Sequence, residues 1–141
     1  MVYIIVTILM LNYPGVPVEI SQLIGESVVE SSKRLGVEES TILGIMEQES
    51  RFNAMAKDAG AGCIGLMQIN PKHWGSEDMR SIRGNIYHGT RIIADLQNQG
   101  FKIREVLRRY HGLGSDGRYE YSVLKNIEKW RKMIRDFGGN M

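Results

Sequence analysis

The sequence predicts one α+β domain that is mostly helical, on the basis of three observations. Apolar residues recur at helical spacing in several stretches of the 141-residue chain, and glycines separate these stretches. A glycine-rich segment, residues 51 to 75, interrupts the helical pattern and is expected to form a loop with short extended segments. A chain of this length is large enough to bury one core.

The N-terminal segment, residues 1 to 17, is apolar and stands apart from this pattern. Its apolar run is too short to span a bilayer as a helix, and it lacks the basic region of a secretory signal. We expect an arm, formed by a strand or extended segment packed on the domain, or a degenerate export signal. Residues 18 to 141 would then form the domain itself.

Five helices are expected beyond the arm. The first carries an apolar face that ends at Gly36, and the second runs into Glu49. Their expected ranges are residues 20 to 35, 38 to 49, 85 to 99, 103 to 110 and 119 to 137.

The composition argues against several classes of protein. Lys and Arg total 18 against 16 for Asp and Glu, so the formal net charge of +2 is far from that of a dedicated nucleic-acid binder. Cys63 is the single cysteine and is expected to pack rather than react. The three histidines are too widely spaced for a zinc motif, so neither a metal nor a cofactor is expected.

Two glutamates close the second helix, and they differ in the face they occupy. Glu49 falls on the apolar stripe of the helix, whereas Glu47 points about 200° away and is expected to be solvated. Apolar surroundings raise the pKa of a carboxyl group, which suits a general acid. From spacing alone, a structural role for Glu49, pairing with Arg51 or Lys57 at the helix end, is the more common case.

Three motifs favour the catalytic interpretation. "ESRFN", "GAGCIGLMQINP" and "RYHGLG" occur in this order, and together they resemble the transglycosylase SLT family of lytic transglycosylases, over residues 36 to 135. The resemblance implies a lysozyme-like fold. It also implies that Glu49 protonates the bond between N-acetylmuramic acid and N-acetylglucosamine and then acts as base for the C6 hydroxyl, leaving a 1,6-anhydro end.

The resemblance also implies which side chains bind the glycan. Ser50 would lie near Glu49 or would cap the helix, and these two roles are equally favoured. Gln68 and Asn70 offer amide groups to sugars, and Met67 is either a groove residue or a core residue. Tyr110 lies on the core face of its helix, and its counterpart in the family sits beside the catalytic glutamate.

Three further residues are candidates with competing interpretations. Asp58 would position a water molecule if the domain were a goose-type lysozyme, although such lysozymes carry Asp where this chain has Asn70. Trp74 would line a sugar subsite or close the core. His111 replaces the Asn of the family's Tyr-Asn-Gly motif, and it is expected to order a loop or face solvent rather than act as a base.

The expected partner is therefore the peptidoglycan glycan strand, not nucleic acid, and the chain is expected to be a monomer. An inactive peptidoglycan-binding module is a further alternative. The small family members with "GLMQIN" are associated with secretion systems, pili and phage particles, so proteins of such machinery are candidate partners. The substrate lies outside the cytoplasm, which implies a periplasmic, cell-wall or virion-associated location.

Overall fold

The computed structural model of the protein describes residues 1–58, 60, 62–74, 78–112, 114 and 116–139. These ranges contain seven helices: α1 (Val2–Asn12), α2 (Val18–Leu35), α3 (Glu39–Ser50), α4 (Pro71–Trp74), α5 (Ile82–Asn98), α6 (Ile103–His111) and α7 (Arg118–Gly139). All five helices expected beyond the arm are present. The prediction of a mostly helical domain is confirmed.

The β part of the predicted α+β class is not confirmed. Within the described ranges, strand-like pairing is limited to two isolated antiparallel bridges, Lys57 with Ile64 and Ile64 with Ile69. Between the two isoleucines the chain makes a tight turn, in which Gly65 and Gln68 have φ of 79° and 51°. Positive φ is incompatible with a right-handed helix, so this segment forms a compact loop.

The expectation of a strand or extended arm at the N-terminus is wrong, because residues 2 to 12 form the helix α1. Ile5, Ile8 and Leu9 are fully buried, and the helix packs against α2 and α7. The run is rich in β-branched residues, which favour strands, and it is apolar on every face, so it has no helical periodicity to read. Burial against two neighbouring helices decides its conformation instead.

Helix α3 lies at the centre of the fold. Its residues 40 to 47 are all buried. Helix α7 packs against it so closely that position 44 accommodates only glycine without a shift of the neighbouring atoms. A Cβ at Gly44 would lie 2.7 Å from Cγ1 of Ile127 and 3.0 Å from its backbone nitrogen. The close contact of these two helices fixes the position of the C-terminal end of α3.

The prediction that Glu47 is solvated is also wrong, since only 6% of its surface is exposed. Lys129 donates to its Oε2 at 2.7 Å, Trp130 Nε1 donates to its Oε1 at 3.1 Å, and the Tyr13 hydroxyl donates to Oε2 as well. The face opposite Glu49 is covered by α7 and by the segment after α1. A buried carboxylate needs such partners, and Glu47 joins three parts of the chain.

Across the part of the chain that the structure describes, no helix combines the length and the apolar character needed to cross a bilayer.

Candidate active site

Glu49 occupies the last turn of α3, where the chain reverses direction sharply. Arg51 and Phe52 follow with φ of 51° and 64°, a left-handed conformation that costs non-glycine residues about 1–3 kcal/mol each. Burial of Phe52 offsets this cost, because its ring is 1% exposed and packs edge-on against Tyr13 and Trp130. The core anchor directly after the helix therefore fixes where Glu49 points.

The carboxyl group of Glu49 is largely shielded from water. Burial raises its pKa from 4.5 to about 7, and a hydrogen bond from Tyr119 partly opposes the increase. The Tyr119 hydroxyl donates to Oε2 of Glu49 at 2.6 Å. Near neutral pH the group is thus divided between its protonated and ionised forms, and it can either give or accept a proton.

A compact loop built from the glycine-rich segment forms one wall of the site. Ile64 and Ile69 exchange backbone hydrogen bonds at 2.9 and 3.0 Å, and the Gly65 amide donates to the Ala56 carbonyl at 3.0 Å. The side-chain amide of Gln68 donates to the carbonyls of Ala56 and Gly65, at 3.1 and 2.8 Å. These bonds use the donor end of the Gln68 amide, and no bond of its acceptor oxygen is seen among the described residues.

The side chain of Asn85 holds this loop against α5. It is 1% exposed, donates to the carbonyls of Ile64 and Met79 at 2.9 Å each, and accepts from the Met67 amide at 2.7 Å. A Cβ at Gly65 would lie 2.3 Å from Nδ2 of Asn85, so only glycine allows this approach. Asn85 therefore sets the position of Gln68 relative to the helices.

Tyr110, at the end of α6, ties the same loop to the site. Its hydroxyl donates to the Met67 carbonyl at 2.7 Å. Burial raises the pKa of Tyr110 well above 10, and the negative charge of Glu49 adds to the increase. The charge of Glu49 thus acts on Tyr110, but the hydroxyl that donates a hydrogen bond to Glu49 is that of Tyr119.

The other predicted binding residues make contacts within the protein. Ser50 is half-buried and its hydroxyl donates to the Met46 carbonyl at 3.1 Å, a bond within its own helix. Met67 is fully buried, and its side chain packs against Gly89. Asn70 accepts from the Lys72 amide at 3.0 Å at the start of α4. Glycan binding by these three residues stays a prediction.

The residues with competing interpretations have different surroundings. Asp58 is exposed, and its Oδ1 accepts from the Gly60 amide at 2.9 Å within its own loop. Trp74 belongs to α4, but its side chain lies outside the described part of the chain. His111 is exposed and stacks on the ring of Tyr119. Cys63 is half-buried, and burial together with the charges of Asp58 and Glu49 raises the pKa of its thiol.

Sequence reasoning missed two residues that organise the site. Tyr119 falls on the same helical face as Val123, Ile127 and Trp130, and this spacing is the signal that could have placed it in the core near Glu49. Asn85 opens the apolar face of α5, but nothing local distinguishes a buried amide from a solvated one. Both contacts join residues that are far apart in the chain.

Open space adjoins the site on the side of α5 and α6. A cavity of about 210 Å³ begins at Gln68 and Tyr110 and has Ile69, Ile92 and Leu96 among its walls. For the part of the chain described, no cluster of three His, Cys, Asp or Glu side chains has the arrangement of a metal site. Within the described part of the chain, the site centres on the carboxyl group of Glu49, which can exchange a proton and is flanked by tyrosines and amides.

The comparison with known proteins identifies the class. Residues 26–123 match the family model described as the transglycosylase SLT domain, and the chain belongs to this family. The predicted family is therefore confirmed.

Three of the similar proteins share the same name. "Membrane-bound lytic murein transglycosylase C" of Yersinia enterocolitica is 36% identical over 131 residues, which cover 81% of this chain and 36% of the relative. The protein of the same name from Serratia proteamaculans is 38% identical over 86 residues, 50% of this chain and 24% of the relative. The protein of the same name from Mannheimia succiniciproducens is 44% identical over 57 residues, which cover 40% of this chain and 15% of the relative. The chain thus spans about a third or less of these curated relatives.

Proposed function

We propose that this domain is a peptidoglycan lytic transglycosylase in which Glu49 acts first as acid and then as base. The observation that carries the proposal is the carboxyl group of Glu49, whose pKa burial raises to about 7. Membership of the SLT family and the printed names of the relatives support the same activity. The proposal includes a lysozyme-like arrangement of the helices.

The reaction follows from the two protonation states of one group. Protonated Glu49 gives its proton to the glycosidic oxygen, the bond from that oxygen to C1 of N-acetylmuramic acid breaks, and N-acetylglucosamine leaves with a free hydroxyl. Ionised Glu49 then accepts the proton of the C6 hydroxyl as its oxygen bonds to C1. The product is a 1,6-anhydro end, no water is consumed, and Glu49 regains its proton.

The neighbours of Glu49 have separate tasks in this scheme. Tyr119 donates to the ionised carboxylate and keeps one oxygen oriented, while Tyr110 braces the loop that carries Gln68. The free acceptor of Gln68 binds a hydroxyl or an acetamido N–H of the glycan. In this proposal Ser50 and Asn70 complete the glycan site, and the buried Met67 supports the loop beneath it. Trp74 stays a candidate for a sugar subsite.

The hydrolytic alternative uses water in place of the C6 hydroxyl and requires a second group that positions this water. Asp58 is the candidate, and its engagement with Gly60 in its own loop counts against it. An inactive glycan-binding module is the other alternative. The raised pKa of Glu49 argues against it, because a binding module has no need of a proton donor.

Product analysis tests the proposal. Purified peptidoglycan is incubated with the wild-type protein, Glu49→Gln, Asp58→Asn and the exposed control Glu19→Gln, and soluble fragments are identified by mass spectrometry. We expect anhydro ends with every protein except Glu49→Gln, whose release should fall by a factor on the order of 10³ or more because the general acid is removed.

Other product patterns would contradict specific parts of the proposal. Reducing ends that disappear in Asp58→Asn would make the domain a lysozyme. Substantial turnover by a folded Glu49→Gln would exclude the acid and base role of Glu49. Sedimentation of peptidoglycan with wild-type protein that releases no fragments would indicate a binding module.

The location proposed for the protein is extracytoplasmic, because the substrate is outside the cytoplasm, and the relatives named membrane-bound murein transglycosylases support this. Action as a monomer, and an association with secretion, pilus or phage-particle proteins, are further predictions.

A further inference from the structure

His111 makes an aromatic contact that connects the surface with the buried site. It is the last residue of α6 and is exposed, yet its ring lies 4.1 Å, centroid to centroid, from the ring of Tyr119, with 14° between the two planes. Tyr119 is the second residue of α7 and is 8% exposed. One face of the tyrosine ring is therefore covered by an imidazole that solvent can reach.

Among the described residues between α6 and α7, the three glycines have no side chain that could hold this ring. Gly112 and Gly117 have φ of 119° and 92°, and a Cβ added at Gly112 or Gly114 would have no atom within 4 Å. In the described part of the chain, His111 is also the only aromatic ring recorded against Tyr119.

The orientation of the Tyr119 ring matters because its hydroxyl donates to Glu49 Oε2 at 2.6 Å. This hydrogen bond favours the ionised carboxylate, the form that follows proton donation to the glycosidic oxygen. A ring free to rotate or tilt at the start of α7 would hold the bond for only part of the time. The stack restricts that freedom.

We propose that His111 is a positioning residue: its imidazole, stacked on Tyr119, holds the phenol hydroxyl on Glu49. The inference rests on the proposed function, and it deepens it by assigning a role to the residue that departs from the family's Tyr-Asn-Gly motif. His111 itself does not touch the reacting atoms. His111 acts on Glu49 through Tyr119. Any planar ring at position 111 should be able to stack on Tyr119 in the same way.

A double-mutant cycle tests the proposal. The proteins compared are the wild type, His111→Ala, Tyr119→Phe and the double variant, with His111→Phe as the variant that retains a flat ring. Steady-state rates on soluble glycan fragments give kcat and KM, and carbon-13 NMR titration gives the pKa of Glu49 without reference to activity. Thermal unfolding checks that each variant folds.

If His111 positions the hydroxyl, His111→Ala should lower kcat by about 3- to 10-fold with little change in KM, in keeping with the loss of one aromatic pair. The pKa of Glu49 should rise in both His111→Ala and Tyr119→Phe, because each weakens the hydrogen bond that favours ionisation. His111→Phe should restore most of the rate. In the Tyr119→Phe background, His111→Ala should have no further effect on kcat.

Several results would overturn the proposal. These are an unchanged kcat and Glu49 pKa in His111→Ala, an equal loss of kcat with and without the Tyr119 hydroxyl, or no recovery with His111→Phe. Tyr110 and Glu120, which also raise the pKa of Tyr119, are the same in all five proteins. If the wild type releases no fragments, the proposed function fails, while the NMR titration still decides whether His111 acts on Glu49 through Tyr119.

Discussion

At the scale of single residues, Glu49 combines the proposed role in catalysis with a cost in stability. Its pKa of about 7 in the folded protein is above the value of 4.5 expected when it is exposed. Between these two values the folded state binds more protons than the unfolded state, so the free energy of unfolding falls as pH rises through this window. Above about pH 7 the folded protein must hold an ionised carboxylate in a poorly hydrated place, and this is the cost in stability.

Glu49→Gln should relieve this cost. At pH 8 the variant should be more stable than the wild type by roughly 2–3 kcal/mol, the size expected for a shift of this order. The advantage should shrink as pH falls from above 7 to below 4.5, where wild-type Glu49 is protonated in both the folded and the unfolded state. Urea unfolding at several pH values measures it, and a constant difference across that range would contradict the raised pKa.

Activity should also depend on the titration of Glu49. In the proposed reaction the proton donor is lost as pH rises through about 7, so kcat/KM of the wild-type protein should decline above that value. A pH profile on peptidoglycan fragments measures this decline. If kcat/KM began to decline only at a pH about two units higher, another group would supply the proton.

At the scale of secondary structure elements, the packing of α3 against α7 determines the geometry of the site. Glu49 is on one helix and Tyr119 is on the other, so a small change in the separation of the helices moves the donor away from its acceptor. Gly44 sets this separation through its contact with Ile127. The carbonyl of Gly44 also accepts from Asn126 Nδ2 at 3.2 Å, which fixes the register of the two helices.

Gly44→Ala should push the two helices apart. The added methyl group would contact the backbone of Ile127, and overpacking of this kind costs about 1–3 kcal/mol, more than the roughly 1 kcal/mol that alanine gains over glycine within a helix. We expect lower stability and lower kcat together. Gly15→Ala is the matched control, because a Cβ there has no atom within 4 Å and should change neither quantity.

At the scale of the whole molecule, α1 is a part of the core rather than an appendage. Its buried face meets α2 and α7, and Tyr13, directly after it, donates to the buried Glu47. A Cβ at Gly25 of α2 would lie 2.8 Å from Cγ2 of Val6, so the first two helices are in close contact. The N-terminal segment therefore supports the far side of the helix that carries Glu49.

Truncation of one side chain of α1 should destabilise the entire domain. Ile8 is fully buried, so Ile8→Ala should lower the free energy of unfolding by about 2–5 kcal/mol in a single cooperative transition. Leu11→Ala is the control, since Leu11 is 66% exposed and its loss should cost no more than about 0.5 kcal/mol. If both substitutions lowered the free energy of unfolding by the same small amount, α1 would be a loosely attached arm instead of a part of the core.

The sequence by itself determined the features that local patterns encode. Apolar spacing predicts five of the six helices described from α2 onward, all except the short α4, and the helical wheel of α3 places Glu49 on its apolar stripe. The three motifs predict the family. These inferences succeed because a helix repeats its own faces every three to four residues, and each motif is contiguous in the chain.

The tertiary structure alone decided the contacts between distant residues. Tyr119 lies 70 positions from Glu49, and Trp130 lies 83 from Glu47. Helical periodicity identifies one buried face, so it could not reveal that α3 is enclosed on its other side or that α1 would be helical. Which polar group meets Glu49, and which ring covers Tyr119, depend on how α3, α6 and α7 pack, because only packing brings these side chains within hydrogen-bonding and stacking distance.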